Sequence, residues 1–570
     1  MTAADFDGLN PADFDAVEAA RAWSAQDPDP ETKAELDGLI AAAEAGDAGA
    51  LAELHARFDA RLAFGTAGLR GELAAGSNRM NRVLVAQAAA GLAAYLRRRF
   101  GDEASVVIGY DGRKNSRVFA EDSAELFAGA GVRTVLLPRL LPTPVLAFAV
   151  RHLGTSAGVM VTASHNPARD NGYKVYLGGG DEGSQIVPPV DAEIAAHIDA
   201  VAAAGPITAL PRSAAYETAD ESLVYAYVAR TAAVAGELPD GVELDVVYTA
   251  MHGVGWDTAS RVFQAAGLPA PLSVAAQQEP DPAFPTVAFP NPEEPGALDL
   301  AVATARESGA ELIVANDPDA DRLAIAVPDP DADGGWRRLS GNEVGLLLGW
   351  AAAEEEAGRP GGADRGTAVL GASIVSSPGL RAIAEHFGLG FAETLTGFKW
   401  ISRVPGLVFG YEEALGYLVN PETVRDKDGI SAAARLLALA LRWKASGRTL
   451  AEQLEQIAGE IGWYASGQIS LRVTDLAERG RILDRLRAEP PRELGGVAVT
   501  GFDDLLRGAG ALPPDNVLRL TLADGSRVML RPSGTEPKLK VYLDARGTSR
   551  ADAEAKVSAL DGALRAMLGA

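Results

Sequence analysis

A short polar segment that follows an apolar run carries a candidate nucleophile. Residues 158–161 read Gly-Val-Met-Val, and residues 162–167 continue as Thr-Ala-Ser-His-Asn-Pro. Apolar residues that stop at a proline-ended turn predict a buried strand that delivers Ser164 to an exposed loop. A hydrolase pair of Ser164 with His165 is disfavoured, because adjacent side chains on an extended turn point apart and the Gly-x-Ser-x-Gly elbow is absent. As a phosphate acceptor, the serine would need a nearby cation.

Three aspartates at alternate positions could hold that cation. Asp317, Asp319 and Asp321 follow an apolar run that predicts a buried strand. Oxygen ligands without Cys or His favour Mg²⁺ over zinc or copper. The same pattern recurs at 329–333, directly before Gly334, and there it predicts a solvated loop. Neither copy has the glutamate that ends a calcium-binding loop of the EF-hand type.

Other polar turns could bind a phosphorylated sugar. Residues 531–535 read Arg-Pro-Ser-Gly-Thr and offer a guanidinium, two hydroxyls and a glycine amide to phosphate oxygens. Residues 410–416 contain Glu412 and Glu413, which either accept hydrogen bonds from sugar hydroxyls or start a helix. Lys174 and Lys399 each stand near a predicted turn, where a lysine could neutralise phosphate or move a proton, although a surface role is the simpler alternative.

The composition excludes several classes of function. The chain has 570 residues, with Lys+Arg 52 against Asp+Glu 77, and its net charge of −25 argues against a nucleic-acid or anionic-membrane partner. The absence of Cys excludes disulfides and thiolate chemistry. The acidic N-terminus lacks the basic and apolar regions of a signal peptide, and no apolar run reaches the ~18 residues of a membrane span. We therefore expect a cytoplasmic protein, either a monomer or a dimer.

The order of strands and helices predicts four domains preceded by a helical extension. The fold class is α/β, with three similar mixed-sheet α/β domains and a C-terminal α+β domain. In such sheets, ligands bind beyond the carboxyl ends of the strands, where the polar turns lie. The predicted boundaries are 1–60 for the extension packed on the first domain, then 61–207, 208–326, 327–458 and 459–570.

Taken together and in this order, four motifs resemble those of the α-D-phosphohexomutase family, most narrowly its phosphoglucomutase-2-like phosphosugar mutases. The resemblance runs from about Phe64 to the C-terminus. The motifs are Thr162-Ala-Ser-His-Asn-Pro167, Asp317-Pro-Asp-Ala-Asp-Arg322, Gly410-Tyr-Glu-Glu-Ala414 and Arg531-Pro-Ser-Gly-Thr535.

The resemblance implies that the four domains surround a central cleft, to which each contributes one loop, and it implies a role for each motif. Ser164 would be the phosphoserine and a metal ligand, and the three aspartates would bind Mg²⁺. Arg70 would hold the phosphoryl group. The residues implied in substrate binding are Arg322, Thr396, Gly397, Glu412, Glu413, Arg425, Lys427, Arg531, Ser533, Gly534 and Thr535. The implied reaction is that of a phosphoglucomutase, which interconverts glucose 1-phosphate and glucose 6-phosphate with hexose 1,6-bisphosphate as intermediate and activator.

Two departures from the family pattern leave the proton transfer open. Ala414 stands where many members have a serine, and Gly416 and Tyr417 stand where several have a histidine. Lys174 and Lys399 are the replacement acid/base groups, and His165 either orients the loop or contacts phosphate. Phosphomannomutase, phosphopentomutase and hexose-bisphosphate synthase activities remain alternatives. A phosphatase and a non-catalytic sugar-phosphate-binding protein are more remote ones.

Overall fold

The computed structural model describes residues 15–359, 367–472, 476–510, 512–532 and 538–569. The chain divides into two compact units. The first unit contains the residues up to Arg338 together with Asn420–Ala438, and the second contains Leu339–Val419 together with Leu439–Ala570. None of the described helices is both long enough and apolar enough to span a bilayer.

Three helices come before the first sheet: α1 (Ala16–Ser24), α2 (Pro30–Glu44) and α3 (Ala48–Phe58). Each starts after an aspartate, Asp15, Asp29 or Asp47, whose carboxylate accepts N–H groups of the first helical turn. Their buried residues, such as Leu36 and Phe58, belong to the same apolar core as the first sheet. The helices predicted from composition are therefore confirmed here.

The first sheet has seven strands: β1 (Leu69–Glu72), β2 (Ser105–Tyr110), β3 (Arg133–Leu136), β4 (Ala157–Val161), β5 (Asp170–Leu177), β6 (Ser184–Gln185) and β7 (Glu217–Thr218). Their order is β1-β5-β4-β2-β3-β7, and β6 pairs with β5. Strands β2, β3 and β4 are parallel, whereas β5 is antiparallel to β4 and β1. Every residue of β2 and β4 is buried, as expected for apolar parallel strands covered by helices.

Five helices accompany this sheet: α4 (Arg82–Phe100), α5 (Ser116–Gly129), α6 (Thr143–His152), α7 (Val190–Ala204) and α8 (Glu221–Ala232). Helices α5 and α6 pack on β2 and β4. The last of these helices begins only at Glu221, because residues Glu217–Thr218 pair with β3 and the Asp220 carboxylate accepts the Ser222 N–H.

The second sheet has five strands: β8 (Val246–Thr249), β9 (Leu272–Ser273), β10 (Leu312–Asn316), β11 (Leu323–Pro328) and β12 (Trp336–Arg338). Their order is β12-β11-β10-β8-β9, with β8, β9 and β10 parallel and β11 antiparallel to β10 and β12. Helices α9 (Gly255–Ala265) and α10 (Asp299–Ser308) belong to this part of the chain. The second aspartate pattern lies in the loop between β11 and β12, as predicted.

The second unit begins with a four-stranded sheet: β13 (Val369–Ser373), β14 (Gly390–Thr394), β15 (Leu407–Glu412) and β16 (Gly416–Leu418). Their order is β14-β13-β15-β16, and only β16 is antiparallel to its neighbour. The helices of this region are α11 (Gly341–Gly358), α12 (Gly379–Phe387), α13 (Phe398–Ile401), α14 (Gly429–Ala445) and α15 (Leu450–Ile461). Residues 429–438 of α14 belong to the first unit, and its remainder belongs to the second.

The last sheet is wholly antiparallel: β17 (Trp463–Arg472), β18 (Glu493–Leu494), β19 (Val497–Asp504), β20 (Leu518–Leu522), β21 (Arg527–Pro532) and β22 (Lys538–Gly547). Their order is β17-β22-β21-β20-β19-β18, accompanied by helices α16 (Leu476–Ala488) and α17 (Arg550–Leu568). Residues 523–526 form a hairpin turn that joins β20 to β21. Three mixed sheets followed by one antiparallel sheet confirm the predicted fold class.

Candidate active site

Ser164 lies in the serine loop, residues 162–170, which follows β4. Its backbone is left-handed, with φ 51°, and its N–H donates to the Thr162 hydroxyl at 2.8 Å. Ser164 is only 2% exposed, and its Oγ donates to Asp317 Oδ2 at 2.7 Å. The prediction of an exposed serine is therefore wrong, because the left-handed turn directs the hydroxyl to a carboxylate of the second sheet's loop.

His165 lies against the serine hydroxyl. Its Nδ1 is 3.2 Å from Ser164 Oγ, so the expectation that the two side chains point apart is also wrong. The reason is again the left-handed conformation of Ser164, since it replaces the extended turn assumed from the sequence. Burial, followed by the positive charges of Arg322 and Arg70, lowers the pKa of His165 well below its ordinary value. The imidazole is therefore neutral at physiological pH.

The three aspartates form one buried cluster in the loop between β10 and β11. One oxygen of each of Asp317, Asp319 and Asp321 lies within 4.8 Å of the others. Ala320 between them is left-handed, with φ 55°. Burial, and then the charges of Asp319 and Asp321, raise the pKa of Asp317 well above its ordinary value. Like charges this close are stable only with a proton or a cation among them.

Two lysines supply part of the compensating charge. Lys174 Nζ lies 2.8 Å from Asp319 Oδ2 and 3.0 Å from Asp321 Oδ2, and Lys427 Nζ lies 3.3 Å from Asp321 Oδ2. Burial lowers the pKa of Lys174, but Asp319 and Asp321 outweigh it and keep that pKa above its ordinary value. The sequence predicts Lys174 near a turn, which is wrong, because the residue lies inside β5 and its ammonium group is buried.

The same cluster has oxygens left for a metal ion. Asp319 Oδ1 and Asp321 Oδ1 are buried and accept no hydrogen bond within the described part of the chain, whereas the Oδ2 atoms bind Lys174. A buried carboxylate oxygen without a partner is unfavourable unless a cation binds it. An all-oxygen donor set suits Mg²⁺. The three aspartates could therefore hold this ion, with the Ser164 hydroxyl beside Asp317.

The predicted arginines have different surroundings. Arg70 in β1 is partly buried, and its Nη1 donates to Asn166 Oδ1 at 3.2 Å. Burial lowers its pKa, an effect that the nearby Asp319 opposes. The backbone N–H of Arg322 donates to Asp317 Oδ1 at 3.0 Å. Arg70 and Arg322 therefore lie beside the aspartate cluster. The guanidinium of Arg425, in contrast, forms an ion pair with Glu182 at 2.9 Å.

In the second unit, the two glutamates follow β15. Glu413 Oε2 accepts hydrogen bonds from the hydroxyls of Ser373 at 3.2 Å and Ser376 at 3.3 Å. Glu412 ends the strand, and its carboxylate makes no hydrogen bond or ion pair to another described residue. Residues 410–416 continue into β16, so the alternative of a helix start is wrong. Glu412 is the carboxylate that remains able to accept from a ligand.

The remaining predicted residues of the second unit lie in two places. Thr396 and Gly397 come between β14 and α13, Thr396 Oγ1 is buried without a hydrogen bond to a described residue, and Lys399 lies in α13. Arg531 is in β21, with its Nε 4.0 Å from Asp515 Oδ2. The residues predicted to grip a phosphate beside it, Ser533, Gly534 and Thr535, lie outside the described residues.

Comparison with known proteins identifies the family. Four family descriptions match in chain order: phosphoglucomutase/phosphomannomutase domain I over residues 61–204, domain II over 226–334, domain III over 340–460 and the C-terminal domain over 469–560. The chain belongs to the α-D-phosphohexomutase family. It is therefore a phosphosugar mutase, an intramolecular phosphotransferase of the isomerase class.

The relatives of this phosphohexomutase carry several substrate names. The chain is 54% identical to a "Probable phosphomannomutase" of Haemophilus influenzae, covering 86% of this chain and 98% of that protein. It is 36% identical to the human phosphopentomutase, covering 86% of each chain. A solved phosphoglucomutase/phosphomannomutase family protein from Burkholderia thailandensis has the same fold, with a TM-score of 0.67 at 21% identity over 89% of this chain and 98% of that one.

Two residues of the candidate site carry no signal in the sequence. The Thr143 hydroxyl donates to Asp319 Oδ2 at 2.6 Å, and its N–H donates to Asp319 O at 3.0 Å. Arg113 donates to backbone carbonyls of the serine loop, including that of Ser164 at 2.6 Å. Both residues stand in strand-to-helix turns of the first sheet. Asp319 lies 176 positions from Thr143 along the chain, and the carbonyl partners of Arg113 lie 51 to 57 positions from it. A local sequence pattern does not show which loops that are distant along the chain contact each other.

Proposed function

We propose that this phosphohexomutase is a phosphoglucomutase that works through a phosphoserine at Ser164 and a hexose 1,6-bisphosphate. The observation that carries the proposal is the contact of Ser164 Oγ with Asp317 Oδ2, at 2.7 Å, beside two further buried aspartates. A hydroxyl with a structural role needs one hydrogen-bond partner. A phosphoryl carrier needs a cation site beside the hydroxyl, and this cluster offers one.

Positive side chains around the serine suit a transferring phosphoryl group, whose charge spreads over its equatorial oxygens. Bound Mg²⁺ supplies charge that stabilises those oxygens. Arg70 would hold the phosphoryl group, since its guanidinium lies close enough to Asp319 and Asp321 to feel their charges. Asp319 and Asp321 raise the pKa of Lys174, so its ammonium group holds its proton tightly and is suited to neutralise phosphate charge. Lys399 is then the candidate for proton transfer to and from the sugar.

Recognition of the sugar is assigned to the second unit. Glu412 would accept hydrogen bonds from sugar hydroxyls, while Glu413 keeps its two serine partners. Arg531, with Ser533 and Thr535, would bind the phosphate that is not transferred. These assignments are compatible with a glucose, a mannose or a ribose phosphate. Phosphomannomutase is the second candidate, because a relative named "Probable phosphomannomutase" shares 54% of its residues over most of both chains.

A coupled assay tests the proposal. Wild type, Ser164→Ala and the matched control Ser308→Ala, an exposed helix serine, are assayed with glucose, mannose and ribose 1-phosphates, Mg²⁺ and a trace of glucose 1,6-bisphosphate. We expect the highest kcat/KM with glucose, about tenfold or more above the other sugars, and a loss of about 10⁴-fold or more in Ser164→Ala alone. Intact-mass measurement should detect one phosphoryl group on wild type and none on Ser164→Ala.

Each alternative result of this assay would indicate a different function. Preference for ribose 1-phosphate would identify a phosphopentomutase, and preference for mannose 1-phosphate a phosphomannomutase. Release of inorganic phosphate without isomerisation would indicate a phosphatase. Full mutase activity in Ser164→Ala would refute the phosphoserine role.

A further inference from the structure

A buried arginine lies beneath the serine loop. Arg113 comes directly after β2 and is 4% exposed. Its two terminal nitrogens donate to four backbone carbonyl oxygens of the loop: Ser164 and Asn166 at 2.6 Å each, Pro167 at 2.9 Å and Asp170 at 3.2 Å. One guanidinium therefore binds most of the backbone on which the serine is carried.

The guanidinium is itself held from two sides. Its Cζ lies 4.9 Å from the centre of the Phe284 ring, a distance at which a cation is attracted to the face of an aromatic ring. Its Nε is 3.6 Å from Asp111 Oδ2. The other oxygen of Asp111 accepts hydrogen bonds from the Arg113 N–H at 3.0 Å and from the Ser116 hydroxyl at 2.6 Å. Arg113 thus connects the end of β2 to the serine loop.

The serine loop needs such a partner. Ser164 is a non-glycine residue in the left-handed region, with φ 51°, a conformation that persists only when the surroundings hold it. Three of the four carbonyl groups, those of Ser164, Asn166 and Pro167, lie outside the strands of the first sheet. A buried carbonyl without a donor is unfavourable. A planar guanidinium has enough donors to satisfy all four, whereas a lysine ammonium has three.

We propose that Arg113 is a positioning residue that keeps the Ser164 hydroxyl in contact with Asp317 for phosphoryl transfer. The inference rests on the proposed phosphoserine role of Ser164. Arg113 acts through the backbone of the loop, since its hydrogen bonds go to carbonyl oxygens and none goes to the serine side chain. Loss of Arg113 should therefore slow transfer to and from the serine more than it weakens binding of the sugar phosphate.

The test compares Arg113→Lys with Arg82→Lys. Arg82 is the matched control, because it forms a two-point ion pair with Asp122 in the same unit and does not contact the serine loop. We expect kcat of Arg113→Lys to fall about 10²-fold, since a misplacement of about 1 Å can cost that much, while KM changes less than about threefold. In single-turnover experiments with glucose 1,6-bisphosphate, phosphorylation of Ser164 should slow by the same factor. Arg82→Lys should keep both rates.

The outcomes separate this inference from the proposed function. If wild type carries a phosphoryl group on Ser164 and Arg113→Lys has a normal single-turnover rate, Arg113 has no positioning role. An equal loss of rate in Arg82→Lys would also overturn the inference, because the effect would then follow general stability.

If Arg113→Lys does not fold, Phe284→Leu loosens the guanidinium and should lower kcat about threefold at constant KM. An unchanged kcat in Phe284→Leu overturns the inference. Persistent mutase activity in Ser164→Ala would instead refute the proposed function.

Discussion

Lys174→Met should destabilise the first unit in the absence of metal. The substitution removes the ammonium group that lies 2.8 Å from Asp319 Oδ2 and 3.0 Å from Asp321 Oδ2. Removing one partner of a buried ion pair costs about 3–5 kcal/mol, because the remaining charge is uncompensated. Lys427 still lies 3.3 Å from Asp321 Oδ2. We therefore expect the lower end of this range, about 3 kcal/mol.

The assay is urea unfolding with EDTA, followed by tryptophan fluorescence. Because a chain of two units need not unfold in one step, the midpoint of each transition is compared separately. The matched control is Lys114→Met, which removes an exposed ion pair with Glu31 and should cost less than about 1 kcal/mol. Saturating Mg²⁺ should stabilise Lys174→Met more than wild type, since the emptied site is more negative. A variant within about 0.5 kcal/mol of wild type in EDTA would refute the charge compensation assigned to Lys174.

Three further predictions concern other parts of the chain. Burial raises the pKa of Asp428 to about 6. The stability that the protonated carboxyl group contributes is therefore full below the unfolded pKa and is lost as pH rises through about 6. Thermal unfolding of Asp428→Asn should lack this loss, which amounts to about 3 kcal/mol. Gly253→Ala would bring a methyl group to 2.3 Å from Pro318, and calorimetry should detect about tenfold weaker Mg²⁺ binding. The added methyl group of Gly38→Ala meets no atom within 4 Å, so this control should not change Mg²⁺ binding. Glu412→Ala should raise KM for the sugar phosphate about tenfold, measured in the coupled assay.

Each of these has a result that contradicts it. A pH profile of unfolding that is parallel in Asp428→Asn and wild type would mean that this carboxyl group keeps its ordinary pKa. Equal Mg²⁺ affinity in Gly253→Ala and Gly38→Ala would show that the neighbouring turn does not shape the aspartate loop. An unchanged KM in Glu412→Ala, with Glu460→Ala as the exposed control, would remove Glu412 from sugar recognition.

The sequence predicts the strands and the polar turns because each is a local pattern. An apolar run that ends in polar residues identified both β4 with Ser164 and β10 with Asp317. The structure adds contacts across the chain, such as Thr143 with Asp319, which no local pattern encodes. The burial of Ser164 was missed for the same reason, since a partner 153 positions away covers the hydroxyl. Backbone strain at Ser164 was also invisible, because non-glycine residues rarely adopt a left-handed conformation.

The position of Ser164 implies that phosphorylation and cation binding are coupled. A phosphoryl group on Oγ adds a charge of about −1.5 to −2 next to Asp317, whose pKa is already raised by burial and by the neighbouring carboxylates. The two lysines of the cluster are already engaged with Asp319 and Asp321. A divalent cation therefore binds more tightly to the phosphorylated protein than to the unphosphorylated one. By linkage, the bound cation also favours phosphorylation. Calorimetric titration of Mg²⁺ into both forms should give tighter binding to the phosphorylated form, and equal affinities would contradict the coupling.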